Sequence, residues 1–251
     1  MLHAGDRRHL AEHLQAWHDA AVRIALVPTM GNLHAGHLAL LRRARAAAER
    51  VVASVFINPI QFDDGQDYRG YPRTPEADLE ALREAGVDLV FMPPVEEMFP
   101  RGTQHHVRVQ VPELQDILCG AHRPGHFSGV ATIVLMLLQL VRPAVAVFGE
   151  KDYQQLVLIR RMVVDLALPV TILAEPTVRD ADGLALSSRN ALLSSTERAR
   201  APGLHHALLA TAAAARAGGA PVPLERQAMN RLTLAGLLPD YVSIRDAHHL
   251  G

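Results

Sequence analysis

The chain has 251 residues, 49% hydrophobic and 20% charged, with a formal net charge of −1 at pH 7; it is long enough to bury a core unaided and carries no electrostatic footprint for sequence-independent nucleic-acid binding. One cysteine, Cys119, excludes an internal disulfide framework and a cysteine-rich zinc site, and fits a reducing cytoplasm. The N-terminal stretch, broken by Arg7, Arg8, Glu12, Asp19 and Arg23, holds no signal-peptide core, and the apolar run Val130–Val141 is too short for a bilayer, so a cytoplasmic chain without a membrane partner is expected.

From Ile24 to about Glu175, short β-rich runs alternate with amphipathic stretches, the pattern of a parallel sheet covered on both faces. The spacing predicts strands over 24–28, 51–57, 87–92, 144–148 and 170–174. It predicts helices over Leu38–Arg50, from Thr74 (N-cap) and Pro75 to near Gly86, after Ser128, and from about Asp152 to Leu166. The alternating run His106–Val111 reads as an edge strand with one wet face. After Pro176 the pattern changes: a polar segment, Arg179–Asn190, leads to a long alanine-rich helix over about 195–217, a break at 218–223, a second helix and a short strand over 241–244. Two domains are expected, residues 1–176 and residues 177–251.

The segment between the first strand and its helix carries the clearest chemistry. Met30-Gly31-Asn32-Leu33-His34-Ala35-Gly36-His37 places two imidazoles and two glycines where open α/β sheets bind ligands, at a helix N-terminus whose free N–H groups suit phosphate. Neither a dinucleotide fingerprint nor a P-loop is present, and no third ligand nearby supports zinc. The same histidines could instead cap the helix or sit in the core. Gly149-Glu150-Lys151-Asp152 follows a later strand and offers a cation for phosphate, or is a plain surface turn. Leu186-Ser187-Ser188-Arg189 could close over a triphosphate, or supply only an N-cap or a linker. Asn58 and Gln61, in Phe56-Ile57-Asn58-Pro59-Ile60-Gln61-Phe62, suit a small polar substrate in a greasy pocket, and Arg123 and His126 add a cation and an imidazole in Arg123-Pro124-Gly125-His126-Phe127. Asp180, Asp182 and Gly183 lack calcium-loop spacing and read as a turn.

In this order, these motifs together with Tyr71-Pro72-Arg73-Thr74 and Ser187-Ser188-Arg189-Asn190 resemble the pantoate–β-alanine ligase family over about Val27–Asn190, and more loosely to Asp246. The resemblance implies a Rossmann-like nucleotide domain with a small C-terminal α+β lid, and a homodimer that uses ATP and Mg²⁺. The implied reaction joins pantoate to β-alanine through a pantoyl adenylate, with release of pyrophosphate and AMP. Carried onto this chain, Met30 to His37, Gly149 to Asp152, Val178 and Leu186 to Arg189 would form the ATP site. Within it His34, His37, Lys151 and Arg189 would be catalytic, with His37 as proton donor. Gln61 and Gln155 would grip pantoate, with Asn58, Arg123 and His126 nearby. Relatives place adjacent acidic residues after the Tyr-Pro-Arg-Thr motif, whereas here Ala77 precedes Asp78. Asp78 is thus the one side-chain candidate for the metal, and the ion is expected to be held mainly by phosphates and water. Full-length relatives continue beyond the equivalent of Gly251, so the lid is expected to be incomplete.

Overall fold

A computed structural model describes residues 1–251. By its internal contacts the chain divides into two compact units, Met1–Pro176 and Thr177–Gly251, the boundary expected from the sequence.

The first unit is built on six strands, β1 (Leu2–Ala4), β2 (Ile24–Thr29), β3 (Arg50–Val55), β4 (Leu89–Phe91), β5 (Val145–Gly149) and β6 (Thr171–Glu175). All neighbours pair in parallel, in the order β1-β4-β3-β2-β5-β6. The helices of this unit are α1 (Arg7–Asp19), α2 (Ala35–Ala47), α3 (Gly65–Gly70), α4 (Pro75–Glu84), α5 (Val95–Met98), α6 (Cys119–His122), α7 (His126–Val141) and α8 (Tyr153–Asp165). The five strands expected from the sequence are present to within two residues at each end. β1 and α1 were not anticipated, because three residues and a weakly apolar N-terminal stretch give little periodic signal.

Central strands buried on both faces read as continuous apolar runs, and alternation along them sorts two layers. Ala25, Val27, Val51, Ala53, Val145 and Val147 meet Leu41 and Ala44 of α2 and Leu82 of α4 in one cluster. The opposite face is covered through α7, which packs against β2, α1 and α8. That sandwiching explains why α7 is apolar nearly all round, with ten of its residues buried.

The expected edge strand over His106–Val111 is not formed. This segment runs without a ladder and is pinned to α7: Val109 N–H donates to the Thr132 hydroxyl at 2.9 Å, and Ser128 Oγ donates to Val109 O at 2.9 Å. The alternation does not mark a buried face, since Val107 is 72% exposed while Val111 is buried; the α7 hydroxyls of Ser128 and Thr132 take the backbone bonds that a neighbouring strand would have supplied at Val109.

The second unit holds α9 (Ser195–Arg200), α10 (Gly203–Arg216) and α11 (Pro221–Leu234). The single helix expected over 195–217 is interrupted at Pro202-Gly203, where proline lacks the amide that would continue the ladder. The strand expected at 241–244 has no partner; Ile244 N–H instead donates to the Glu225 carboxylate at 2.7 Å. The Asp180–Gly183 segment is a tight turn, closed by an antiparallel bridge from Arg179 to Ala185 and held by Arg198 on both Asp180 and Asp182.

Candidate active site

Strand order reverses at β2. Its crossovers lead to β3 on one side, and β5 is added on the other, so the switch point of the sheet lies between β2 and β5. Their ladder runs only through Ala25–Val145 and Leu26–Ala146. Pro28 explains why it stops. Thr29 O accepts from Phe56 N–H on the β3 side, so by alternation the backbone of Pro28 faces β5, where it has no N–H to offer. The strands part there, and the Met30–His37 and Gly149–Asp152 loops leave from neighbouring C-terminal ends.

His34 is the N-cap of α2 and His37 its third residue, and they form a reciprocal capping box. His37 Nδ1 accepts the His34 N–H at 3.2 Å, and His34 Nδ1 accepts the Gly36 N–H at 3.2 Å. Backbone amides can only donate, so each ring carries its proton on Nε2. The capping alternative is therefore realised, and it leaves the two Nε2–H donors available for an anion.

Charge reinforces that state. Burial, the neighbouring His34 and Lys151 push the His37 pKa down to about 3, and burial followed by Lys151 lowers that of His34. At neutral pH both rings are uncharged, and the proton on His37 is one to share in a hydrogen bond. The two loops leave the C-terminal ends of neighbouring parallel strands, and the charge of Lys151 contributes to lowering both rings. Lys151 itself is partly exposed and lies 3.3 Å from the Asp152 carboxylate.

Beneath the histidine turn sits Asp78, from the first turn of α4 and only 3% exposed. Its carboxylate accepts the Asn32 N–H at 3.0 Å, the Leu33 N–H at 2.8 Å and the Thr74 hydroxyl at 3.2 Å. Thr74 thus begins α4 without capping it directly. Gly31 has φ +81°, and a Cβ there would stand 2.8 Å from Asp78 Oδ2 and 3.1 Å from Val55 Cγ1, so this position requires glycine on both counts. Sequence reasoning missed the structural role of Asp78, although a carboxylate four residues before the buried Leu82 lies on the apolar face of its helix and must find partners there.

A second cluster adjoins the turn. Gln61 Nε2 reaches Met30 Sδ at 3.1 Å, and Asn58, 1% exposed, donates to Gln61 Oε1 at 2.9 Å and to Gly129 O at 3.1 Å. His126 Nδ1 donates to Gln61 O at 2.7 Å, which turns its Nε2 toward Arg123 at 3.4 Å. The Arg123 guanidinium is also paired with Asp63 at 3.0 Å; it braces the cluster and is not a free cation. Gln154, not singled out from the sequence, is buried and ties Leu114 O, Ile117 O and Cys119 N–H to α8. Gln155 beside it is half-buried.

In the second unit, Ser187 caps the short helical turn Ser188–Leu192 by accepting the Arg189 N–H at 3.2 Å, and Leu186 N–H bonds Val178 O at 3.0 Å. The N-cap expected as an alternative for Ser187 is present.

No group of three or more His, Cys, Asp or Glu side chains is placed to hold a metal ion. With the Asp78 carboxylate already engaged, the side chains do not form a cage for Mg²⁺. No helix is long and apolar enough to cross a membrane.

A parallel α/β sheet whose switch point presents paired hydrogen-bond donors and a lysine is the build of a phosphate-handling enzyme of the doubly wound class. The chain belongs to the pantoate–β-alanine ligase family, whose model matches residues 4–251; membership makes it a ligase of pantothenate biosynthesis. It is 59% identical over 240 residues to the pantothenate synthetase of Thioalkalivibrio sulfidiphilus, covering 95% of this chain and 84% of that one. It is 51% identical over 251 residues to that of Chromohalobacter salexigens, covering 100% and 89%. The crystal structure of the Thermus thermophilus pantothenate synthetase superposes with a TM-score of 0.89 at 48% identity, covering 100% of this chain and 89% of that one. The Francisella tularensis pantoate-β-alanine ligase, solved with beta-gamma ATP and β-alanine, gives 0.86 at 33% identity, covering 98% and 90%.

Proposed function

We propose that this chain condenses pantoate with β-alanine at the expense of ATP by way of a pantoyl adenylate. The observation that carries the reading is the convergence of the neutral His34/His37 pair and Lys151 at the switch point between β2 and β5. A relative of the same fold was solved with an ATP compound and β-alanine, which supports both as substrates here.

In the first step a pantoate carboxylate oxygen forms a bond to the α-phosphorus, and the bond from that phosphorus to the pyrophosphate oxygen breaks. The obstacle is repulsion between two anions. Lys151 offsets it by charge, and the two Nε2–H groups hold phosphate oxygens through fixed dipoles. Neutral imidazoles suit this role because their orientation is set beforehand by the backbone amides of α2. Gln61 orients pantoate beside the nucleotide; Asn58, buried and with its amide bonded within the protein, acts through Gln61, His126 and Arg123 brace the cluster, and Gln155 is assigned to the same acid. In the second step the β-alanine nitrogen bonds to the acyl carbon, the acyl–oxygen bond to AMP breaks and the nitrogen loses its proton. No protein nucleophile is needed. Gly149, Glu150 and Asp152 are assigned to the nucleotide with Lys151. For Val178, Leu186, Ser187, Ser188 and Arg189 the support is the family pattern alone. Magnesium, when bound with the triphosphate, supplies charge neutralisation, and the assembly is proposed to be a homodimer in the cytoplasm.

Pantoate-dependent exchange of labelled pyrophosphate into ATP tests the first step, and AMP release on adding β-alanine tests the second. Exchange that does not depend on pantoate, or an adenylate that β-alanine leaves intact, overturns the proposal.

A further inference from the structure

Asp78 is a negative charge directly beneath a turn assigned to a polyanion, and its contacts define what it can do there. Oδ1 accepts from Leu33 N–H, while Oδ2 accepts from Asn32 N–H and from Thr74 Oγ1. Gly31 and Asn32 both adopt positive φ, +81° and 49°. The N–H groups that follow, of Asn32 and Leu33, both point at Asp78 and are taken up by its two carboxylate oxygens.

We propose that Asp78 is a positioning residue that holds the 31–33 backbone, and through it both imidazoles, in the geometry that receives the nucleotide, and that it is not a ligand of magnesium. This rests on the reading of the histidine turn as the nucleotide seat. Asn32, in a left-handed conformation that non-glycine residues adopt at a cost, needs a tie to stay there. Two charge-assisted bonds to adjacent amides provide it. Three of the four lone-pair positions of the carboxylate are taken by those bonds and the group is only 3% exposed, so a hydrated ion has no open approach to it. No second or third acidic side chain stands beside it to help.

The test uses the full chain with three variants: Asp78→Asn, Asp78→Ala and, as a milder perturbation, Thr74→Val. Thermal melting reports folding. Calorimetry with ATP in the absence and presence of Mg²⁺ reports the seat, and pyrophosphate exchange gives KM for ATP, kcat and the Mg²⁺ concentration for half-activation. We expect Asp78→Ala to weaken ATP binding about 10- to 100-fold with or without Mg²⁺, the factor associated with losing one or two charged hydrogen bonds. Asp78→Asn, which keeps one acceptor oxygen, should recover part of it, and Thr74→Val should show a smaller loss in the same direction. Half-activation by Mg²⁺ should be unchanged throughout.

A rise in the Mg²⁺ requirement with Mg²⁺-free ATP binding intact makes Asp78 a metal ligand and overturns the inference. A lower melting temperature with normal KM and kcat makes it merely structural and also overturns it. If Asp78→Ala does not fold, Thr74→Val and Asp78→Asn decide by the same criteria. His37→Gln separates this inference from the one beneath it: if that change leaves ATP binding untouched, the seat itself is misassigned, whereas ATP binding weakened by His37→Gln but not by the Asp78 changes rejects only the role of Asp78.

Discussion

The imidazole of His37 accepts the backbone N–H of His34 through Nδ1 at 3.2 Å, and the two rings lie with centroids 4.1 Å apart. One side chain thus serves the helix with one nitrogen and faces outward with the other. On the proposed reading stability and catalysis rest on opposite edges of the same ring, so they should separate on substitution. Glutamine is a natural third residue of a capping box. His37→Gln should keep most of the stability, whereas His37→Ala should lose about 0.5–2 kcal/mol, the usual cost of a missing cap. Adenylate formation should fall on the order of 10²–10³-fold in the alanine variant. Urea unfolding and single-turnover pyrophosphate exchange read the two effects independently; equal stability of the two variants would show that the cap contributes nothing.

Acid should weaken the fold through the same ring. The folded-state pKa of His37 is held down to about 3, against 6.5 for the ordinary side chain. Below pH 6.5 the unfolded chain takes up a proton that the folded chain refuses, so stability is fully present above 6.5 and drains away as pH falls toward 3. At pH 5 this one group accounts for about 2 kcal/mol, and His34 acts in the same direction. Urea midpoints at pH 7.5, 6 and 5 should decline for the wild type and less steeply for His37→Gln. Parallel slopes would mean that the acid sensitivity resides elsewhere.

Lys151 can be removed with two readouts. Lys151→Ala should lower adenylation on the order of 10²–10³-fold, as expected for one transition-state charge donor. Because its charge also depresses both imidazoles, their titration by NMR should shift upward in the variant. A rate loss without that shift would place the lysine away from the pair.

Gly129 is the point where α7 touches the Asn58–Gln61 segment. A Cβ there would lie 2.3 Å from Ile60 O and 2.7 Å from Gln61 Cα, and backbone on both sides leaves no flexible side chain to yield. Gly129→Ala should therefore cost about 1–3 kcal/mol as an overpacked contact and raise KM for pantoate more than KM for ATP. Equal rises would argue that Gln61 serves the nucleotide as much as the acid.

Much of this molecule was legible in its residues. Apolar runs such as Ile24–Val27 and Ala144–Phe148 marked strands because both faces are buried, and the imidazole and lysine loops fell where a parallel sheet binds ligands. Periodicity failed where an alternating run found no strand to pair with, as in His106–Val111, whose Val107 is exposed, and where one proline cut a continuous helical pattern at Pro202. The contacts of Asp78 were illegible for a different reason. From sequence it is an acidic residue near a phosphate motif, which suggests a cation; only its engagement with Asn32 and Leu33, distant along the chain, reveals that its charge is already satisfied.

Pro28 carries a consequence for how the enzyme meets its ligands. Having no N–H to give, it ends the pairing with β5 at Leu26–Ala146 from within the chain itself. On the proposed reading no ladder bond beyond that point has to be surrendered when a ligand arrives, so less of its binding free energy is diverted from orienting the reactants.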